Sequence, residues 1–320
     1  MERRFLQSKT FLRIFLVLVL SLVSACSKPS EGEFFQVAQG TTGETASRKL
    51  VFTISNGAAN AIASYSESGK FLDLLADTSS SGLLMRGLAP FDSLHVLMAN
   101  DGQDGLNLLS LEDGSVSSFV ASSLFTGNIY NVVRDEERSR YYVIETNNIE
   151  AFNFNGLRLG NPYIPTTLGA CVISGPRSLT MTKSGYLAVA NYTNNDITVY
   201  DVSGASPTCV NSYTGYGNDR PTAIVGHSDG FLYIGFTTND RIDRLAEDGS
   251  GIPTTITNDL AYVNNPTALL EMPDGSLLIA SDGIDGISRI DTSGNPVEGG
   301  IFIKDALTGL VTQMSFLETE

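Results

Sequence analysis

The chain has 320 residues, of which 42% are hydrophobic and 17% charged, with 20 basic against 35 acidic residues. This apolar fraction is sufficient for a folded core and excludes a disordered chain. The formal charge of −15 argues against binding to nucleic-acid phosphates, so we expect no nucleic-acid partner.

Residues 1–25 have the features of a secretory signal, with basic residues ahead of an apolar run from Ile14 to Leu20. That run is shorter than the about 20 residues of a membrane span. The segment ends Leu22-Val23-Ser24-Ala25-Cys26, which resembles the lipobox of bacterial lipoproteins. The resemblance implies that the signal is cut before Cys26 and that this cysteine is acylated and held in a lipid bilayer. An ordinary signal cleaved near Ala25 is the alternative.

The residue after the cysteine is Ser27 and not aspartate, which in that family favours the outer membrane. We therefore expect the protein in the bacterial cell envelope, at the outer membrane, on its periplasmic side or its surface. Residues 26–48 lack apolar periodicity and are predicted to be the lipidated cysteine and a flexible tether. Loss of residues 1–25 removes four bases and one acid, which lowers the formal charge by three, to −18.

With Cys26 acylated, Cys171 and Cys209 are the remaining cysteines. In an exported protein they are expected to form a disulfide. The bond would close a loop of 38 residues, worth about 4 kcal/mol on the loop-entropy account. Two free buried thiols are the alternative.

A turn that ends in glycine recurs at nearly constant spacing along the rest of the chain. Glycine in such pairs supplies the positive φ that tight hairpins require. A fixed period of about 45 residues is typical of repeat architectures such as propellers. The pairs are Ser68-Gly69, Asp113-Gly114, Asn155-Gly156, Ser203-Gly204, Asp248-Gly249 and Ser293-Gly294.

An apolar run stands about twenty residues ahead of each of these glycines and predicts a strand buried on both faces. A second strand follows each run, and three units begin with a Pro-led segment at Pro176, Pro221 and Pro266. Four short strands in about 45 residues are typical of a propeller blade. The runs are Leu50–Ile54, Leu94–Met98, Tyr141–Ile144, Tyr186–Val189, Phe231–Ile234 and Ser276–Ile279.

The two ends of the chain predict how the units close. The unit from Leu50 lacks its leading strand, and the chain finishes with a strand over Thr308–Phe316 that has no unit after it. We predict an all-β fold over residues 49–320, a six-bladed β-propeller with four-stranded antiparallel blades. The C-terminal strand would join the N-terminal blade and close the ring, which removes exposed sheet edges.

Pro176 to Asp201 and Pro266 to Asp291 resemble NHL and YVTN-type propeller repeats. The likeness is sharpest in the fourth, fifth and sixth units, whereas the second and third lack the leading proline. Such repeats imply architecture much more than activity, because many functions occur on this fold.

Loops between the second and third strands of the blades share one face with the connections that lead into each blade, and we expect a partner to bind there. The residues are amides and acids that could bind a protein or a glycan, although turn chemistry alone favours the same residue types. The candidate binding residues are Asn100, Asp101, Asp104, Asn191, Asn195, Asp240, Asp282 and Asp285.

The sequence predicts no catalytic residue and no metal ligand. The pairs Asp101 with Asp104 and Asp282 with Asp285 offer two carboxylates each, fewer oxygens than Ca²⁺ requires, so we expect no cofactor and keep Ca²⁺ as an alternative. Gluconolactonase-type propellers hold a divalent metal with Glu, Asn and Asp in the channel. The matching positions here are Arg177, Thr222 and Thr267, with no glutamate among them.

The function predicted from the sequence is that of a membrane-anchored, non-enzymatic binding or scaffold module. Its loop-rich face would carry the binding site. One alternative is a metal-assisted hydrolase of lactones or esters at the central channel, and another is a purely structural envelope protein.

Overall fold

The structure is a computed structural model that describes residues 48–56, 59–77, 84–102, 105–284, 286–304 and 310–318. Within these ranges the regular structure is β-strand apart from a 3-10 turn at Ser122–Leu124, and no helix is long and apolar enough to cross a membrane. The strands in chain order are β1 (Arg48–Asn56), β2 (Ala59–Ser66), β3 (Phe71–Asp77), β4 (Met85–Pro90), β5 (His95–Asn100), β6 (Gly105–Ser110), β7 (Val116–Val120), β8 (Ile129–Asp135), β9 (Arg140–Glu145), β10 (Asn148–Asn153), β11 (Thr167–Leu168), β12 (Cys171–Val172), β13 (Pro176–Met181), β14 (Tyr186–Asn191), β15 (Asp196–Asp201), β16 (Thr208–Tyr213), β17 (Pro221–Gly226), β18 (Phe231–Phe236), β19 (Arg241–Ala246), β20 (Thr254–Thr257), β21 (Pro266–Glu271), β22 (Leu277–Ser281), β23 (Gly286–Ile290), β24 (Pro296–Lys304) and β25 (Leu310–Glu318).

Consecutive strands pair antiparallel and form the blades of a propeller. Among the described residues, β4–β7, β13–β16, β17–β20 and β21–β24 each form a four-stranded sheet, and β25 joins β1, β2 and β3 in another. One edge strand of each blade packs against the matching strand of the next blade, in the order β25, β4, β8, β13, β17, β21 and back to β25. These six are the inner strands. The predicted six-bladed, all-β propeller is confirmed.

The ring closes as the two chain ends predict. β25 is the inner strand of the first blade and pairs antiparallel with β1, with Leu50 opposite Phe316 and Phe52 opposite Met314. Without β25, the first blade would have an unpaired edge where the other blades have an inner strand. The signal peptide, the acylated Cys26 and residues 26–47 of the tether lie outside the described residues and stay predictions.

The third blade departs from the four-stranded plan, with β8, β9 and β10 in its sheet. An irregular segment takes the place of a fourth strand and touches β10 at two bridges, Arg158 with Phe152 and Ile164 with Ile149. Pro162 lies between these bridges and has no N–H to donate to a ladder, which explains why the segment does not form a continuous strand. After it the chain forms the small β11–β12 hairpin.

The disulfide predicted from the cysteine count is present. Cys171 of the β11–β12 hairpin is bonded to Cys209 of β16, the outermost strand of the fourth blade, with a Cα–Cα distance of 5.7 Å. The bond therefore fastens the connection between the third and fourth blades to the fourth blade.

The hydrophobic core lies between neighbouring blades. Tyr142, Ile144 and Leu187 belong to the cluster between the third and fourth blades, and the other described blade pairs have similar clusters. Because each sheet packs against a blade on both sides, both faces of the middle strands are buried. This explains the uninterrupted apolar runs of the sequence, such as Tyr141–Ile144, where every side chain is fully buried.

The recurring glycines have a second role besides the predicted positive φ. Five of the six have positive φ, and Gly204 is the exception. At Gly114 a Cβ atom would lie 2.5 Å from the carbonyl oxygen of Leu75 in the preceding blade. The repeated turn therefore needs glycine both for its backbone angle and for close packing of one blade against the next.

Candidate binding site at the channel mouth

Each inner strand has a β-bulge near its first residue, on the face where the chain leads into the blade. The register shifts there, so that one or two residues of the inner strand have no partner in the next strand. Bulges redirect side chains and often occur beside functional sites. The residues at the six bulges are Arg86, Tyr130 with Asn131, Arg177, Thr222, Thr267 and Thr312.

One bulge side chain from each blade lines a shared cavity of about 150 Å³. Because the six inner strands surround the axis of the propeller, this cavity is the mouth of its central channel. The six residues, which we call the channel-mouth ring, are Arg86, Tyr130, Arg177, Thr222, Thr267 and Thr312.

One half of the channel-mouth ring is cationic and aromatic. The Tyr130 ring has the Arg86 guanidinium 5.6 Å and the Arg177 guanidinium 5.4 Å from its centroid. Arg177 also lies 5.2 Å from the Tyr192 ring, which the Arg220 guanidinium approaches to 4.9 Å. These cation–π contacts hold three arginines and two tyrosines in an alternating row across the second to fifth blades.

Only one of these arginines has a carboxylate partner among the described residues. Arg86 Nε donates to Asp101 Oδ2 at 2.6 Å, and the Asp101 side chain is only 5% exposed. Arg220 Nη1 donates to the Tyr192 hydroxyl at 2.8 Å. Arg177 is exposed, and no described residue forms an ion pair or a hydrogen bond with its guanidinium.

Threonines make up the other half of the ring, and two of them donate their hydroxyl protons to the protein backbone. Thr222 Oγ1 is 2.7 Å from the carbonyl oxygen of Pro266, and Thr267 Oγ1 is 2.6 Å from that of Val311. Each bond joins one inner strand to the next. A hydroxyl oxygen that donates its proton can still accept a hydrogen bond, so this half is neutral and able to accept hydrogen bonds.

The residues that follow the ring in the first, second and third blades bring these blades close together. Asn131 Nδ2 donates to Gln313 Oε1 at 3.3 Å, which links the third blade to the first. Gly87 of the second blade lies between them in the ring, and a Cβ there would come within 2.7 Å of the Asn131 Cα. The missing side chain thus allows the second and third blades to approach closely at this level.

Two of the predicted binding residues are internal, and this corrects the prediction for them. Asn100 and Asn191 are 1% and 0% exposed. Their Oδ1 atoms accept from the amides of Leu84 and Ser174, in the segments that lead into the second and fourth blades. The side-chain amides donate within their own blades, so both residues hold these segments in place and have no free face for a partner.

The other predicted residues are spread around the ring. Asp101 supports Arg86, as described above. Asn195 and Asp240 have positive φ in equivalent turns of the fourth and fifth blades. Asp240 Oδ1 accepts from the amide of Asn265 at 2.6 Å, and Asn265 in turn donates to Asp282 Oδ2 at 3.1 Å. Asp104 and Asp285 lie outside the described residues.

One acid on this face has an altered pKa. Asp196 follows the turn of Asn195 and is 4% exposed, and no described residue forms a hydrogen bond with its Oδ1 atom. Burial raises the pKa of Asp196 to about 6, against the opposing effect of the amides of Asn191 and Asn194. The acid therefore takes up a proton at a higher pH than an ordinary aspartate.

The donor set of the ring does not fit a divalent cation. Two of its side chains are guanidinium groups, which repel a cation, and none is a carboxylate. In the part of the chain that the structure describes, no group of three or more His, Cys, Asp or Glu residues could hold a metal ion.

The sequence pattern points to three of the six ring residues, Arg177, Thr222 and Thr267, but only as positions that carry no metal ligand. It does not point to Arg86, Tyr130 or Thr312. In the fourth to sixth blades the ring residue follows the proline that starts the inner strand, whereas the first, second and third blades have Val, Met and Ile in place of that proline. The usable signal is the position itself, the second residue of each inner strand and, in β25, the third.

No known protein family matches the chain, and no curated protein matches its sequence. Solved structures match its fold. The crystal structure of a nidogen/laminin complex has a TM-score of 0.65 at 11% identity, covering 84% of this chain and 98% of that chain. A catalytically inactive virginiamycin B lyase from Staphylococcus aureus with quinupristin has a TM-score of 0.59 at 15% identity, covering 87% and 95%.

A gluconolactonase from Xanthomonas campestris is also similar, with a TM-score of 0.57 at 13% identity over 82% of this chain and 87% of that chain. Similarity at these identities shows a shared propeller fold and nothing further. The resemblance to NHL and YVTN repeats stays a prediction.

Proposed function

We propose that the protein is a lipid-anchored recognition module of the bacterial cell envelope that binds its partner on the face around the channel mouth. The observation that carries this proposal is the convergence of six bulge residues on one cavity. A β-bulge interrupts the hydrogen-bond ladder, and its occurrence in all six inner strands supplies a binding cavity that the packing of the blades does not itself require.

The proposed location rests on two features. The Cys171–Cys209 disulfide is typical of proteins in oxidising compartments outside the cytoplasm. The lipobox-like end of the signal, with Cys26 as the acylated residue, supplies the membrane attachment. Metabolic labelling with a fatty acid tests the anchor: the wild-type chain should incorporate the label, and Cys26→Ala should not. Equal labelling of both chains, or no labelling of the wild type, would contradict the lipid anchor.

We do not propose the metal-assisted hydrolase. That reaction needs carboxylate or histidine ligands around the cation, and the ring presents guanidinium, phenol and threonine groups in their place. A protein or a glycan remains the proposed type of partner.

Site-specific photo-crosslinking in living cells tests the binding face. A photoreactive residue at Asn218, exposed just before β17, reports on the channel-mouth face, and one at Ser203, exposed in the β15–β16 turn, reports on the opposite face. We expect a discrete adduct from position 218 and none from position 203. Equal adducts from both positions, or none from either, would contradict a partner at the channel mouth.

A further inference from the structure

We propose that Arg86 and Arg177 form the binding site for a single oxyanion group, a carboxylate or a phosphate, on a small hydroxylated ligand. The proposal rests on the proposed function and specifies the chemistry that the channel-mouth ring recognises.

The pairing state of the arginines at the mouth is unusual. Six described arginines form ion pairs with carboxylates, and Arg140, Arg177, Arg220 and Arg244 form none with described residues. In a chain with 35 acids, Arg177 is the one of these four that lines the channel-mouth cavity, where Arg86 is the second cation. An anion bound at the mouth would supply the opposite charge that Arg177 lacks among the described residues.

The cationic half is already held in place. The Arg86 and Arg177 guanidiniums both contact the Tyr130 ring, so both cations are oriented before a ligand arrives. Asp101 accepts a hydrogen bond from the Nε of Arg86, and the two Nη groups of Arg86 have no described partner. A guanidinium presents paired N–H groups that match the two oxygens of a carboxylate or phosphate.

The neutral half of the ring favours hydroxyl groups on the ligand. Thr222 and Thr267 donate their hydroxyl protons to backbone carbonyls, so they can accept hydrogen bonds from a ligand but not donate to it. A ligand whose anionic group meets the arginines would therefore place hydroxyl groups against the threonines. Sugar acids, hydroxy acids and sugar phosphates have this arrangement.

Size and overall charge limit the ligand further. The cavity of about 150 Å³ corresponds to about five water molecules, enough for one oxyanion and a few attached atoms. The formal charge of −15 repels polyanions at long range, while a small monoanion loses little by approaching. The site thus selects a single charged group.

The test compares matched ligands on the purified full chain in detergent. Thermal unfolding would be followed with glucuronate, glucose and inorganic phosphate at constant ionic strength, since a ligand of the native state raises the Tm. We expect glucuronate or phosphate to raise the Tm and glucose to leave it unchanged. The ranking of the two anions identifies the preferred oxyanion. An equal shift with glucose, or no shift with either anion, would overturn the proposal.

Variants locate the effect. Arg177→Gln removes an exposed cation that forms no ion pair with a described residue, and it should weaken anion binding at least tenfold while the Tm without ligand stays close to that of the wild type. Arg244→Gln is the matched control, because Arg244 likewise forms no ion pair in the described part of the chain and also stacks on an aromatic ring, that of Phe231 at 4.6 Å, away from the mouth. Equal anion affinity of the two variants would refute the site. The two proposals can fail separately. If the photo-crosslinker at position 218 gives an adduct but no anion binds, the partner-binding face is supported and only the oxyanion site is rejected.

Discussion

Leu50, near the start of the first strand, pairs with Phe316 in the last strand of the chain. The pairing joins the inner strand of the first blade to the three strands that begin the propeller. Since β25 also packs against the inner strands β4 and β21, it completes a blade and fills the gap between the second and sixth blades.

Removal of residues 310–320 should therefore abolish cooperative unfolding of the whole propeller. The loss exposes the edge of β1 and opens the ring, so we expect aggregation or a broad, early thermal transition by circular dichroism. Removal of residues 317–320 is the control, because six of the eight paired positions between β1 and β25 remain. A sharp, wild-type transition after the longer deletion would show that ring closure does not stabilise the fold.

Gly294→Ala should destabilise the protein more than the same change at Gly230. Both glycines have nearly equal φ, 86° and 85°. A Cβ at Gly294 would collide with the carbonyl oxygen of Ile256, while a Cβ at Gly230 meets no atom of the described residues within 4 Å. The backbone angle alone costs about 1 kcal/mol, and the collision should add about 1–3 kcal/mol. Urea denaturation measures both variants, and equal losses would contradict the packing role of the repeated glycine.

Reduction of the Cys171–Cys209 disulfide should lower the free energy of unfolding by about 2–4 kcal/mol, because it removes a constraint on the unfolded chain. Denaturation with and without dithiothreitol measures this. The double variant Cys171→Ser with Cys209→Ser should match the reduced wild type and show no response to the reductant. If dithiothreitol still destabilises the double variant, the loss of stability does not come from reduction of this disulfide.

Asp196→Asn should stabilise the protein at about pH 8 and much less at about pH 4. Burial raises the pKa of Asp196 in the folded state to about 6, above its value in the unfolded chain, so the folded state binds this proton more tightly. The contribution of this acid to stability is therefore present at low pH and is lost as the pH rises from about 4 to about 6. We expect a gain of about 1–2 kcal/mol at the higher pH. The same gain at both pH values would contradict the titration of Asp196.

The sequence predicts the fold well because the strongest signals are backbone requirements. Apolar runs such as Phe231–Ile234 become the second strands of the blades, and the prolines at 176, 221 and 266 begin inner strands. The third blade is less predictable. Its outer edge depends on Pro162 and on bridges such as Arg158 with Phe152, and neither follows from the repeat.

The site is predicted only in part, because burial and convergence depend on the folded ring. Asn100 and Asn191 have the composition of a binding loop, yet the segments that lead into their blades cover them. Arg86 and Arg177 are 91 positions apart in the sequence, and only the closure of the blades places both beside Tyr130. No local pattern in the sequence contains that information.

The bulges of the inner strands also bear on how such a protein can diversify. A side chain at a bulge is free of the ladder that pairs its neighbours, so replacing Arg177 changes the lining of the cavity with little effect on strand pairing. Six bulge positions around one axis therefore allow ligand preference to evolve by single substitutions while the ladders within the blades stay intact.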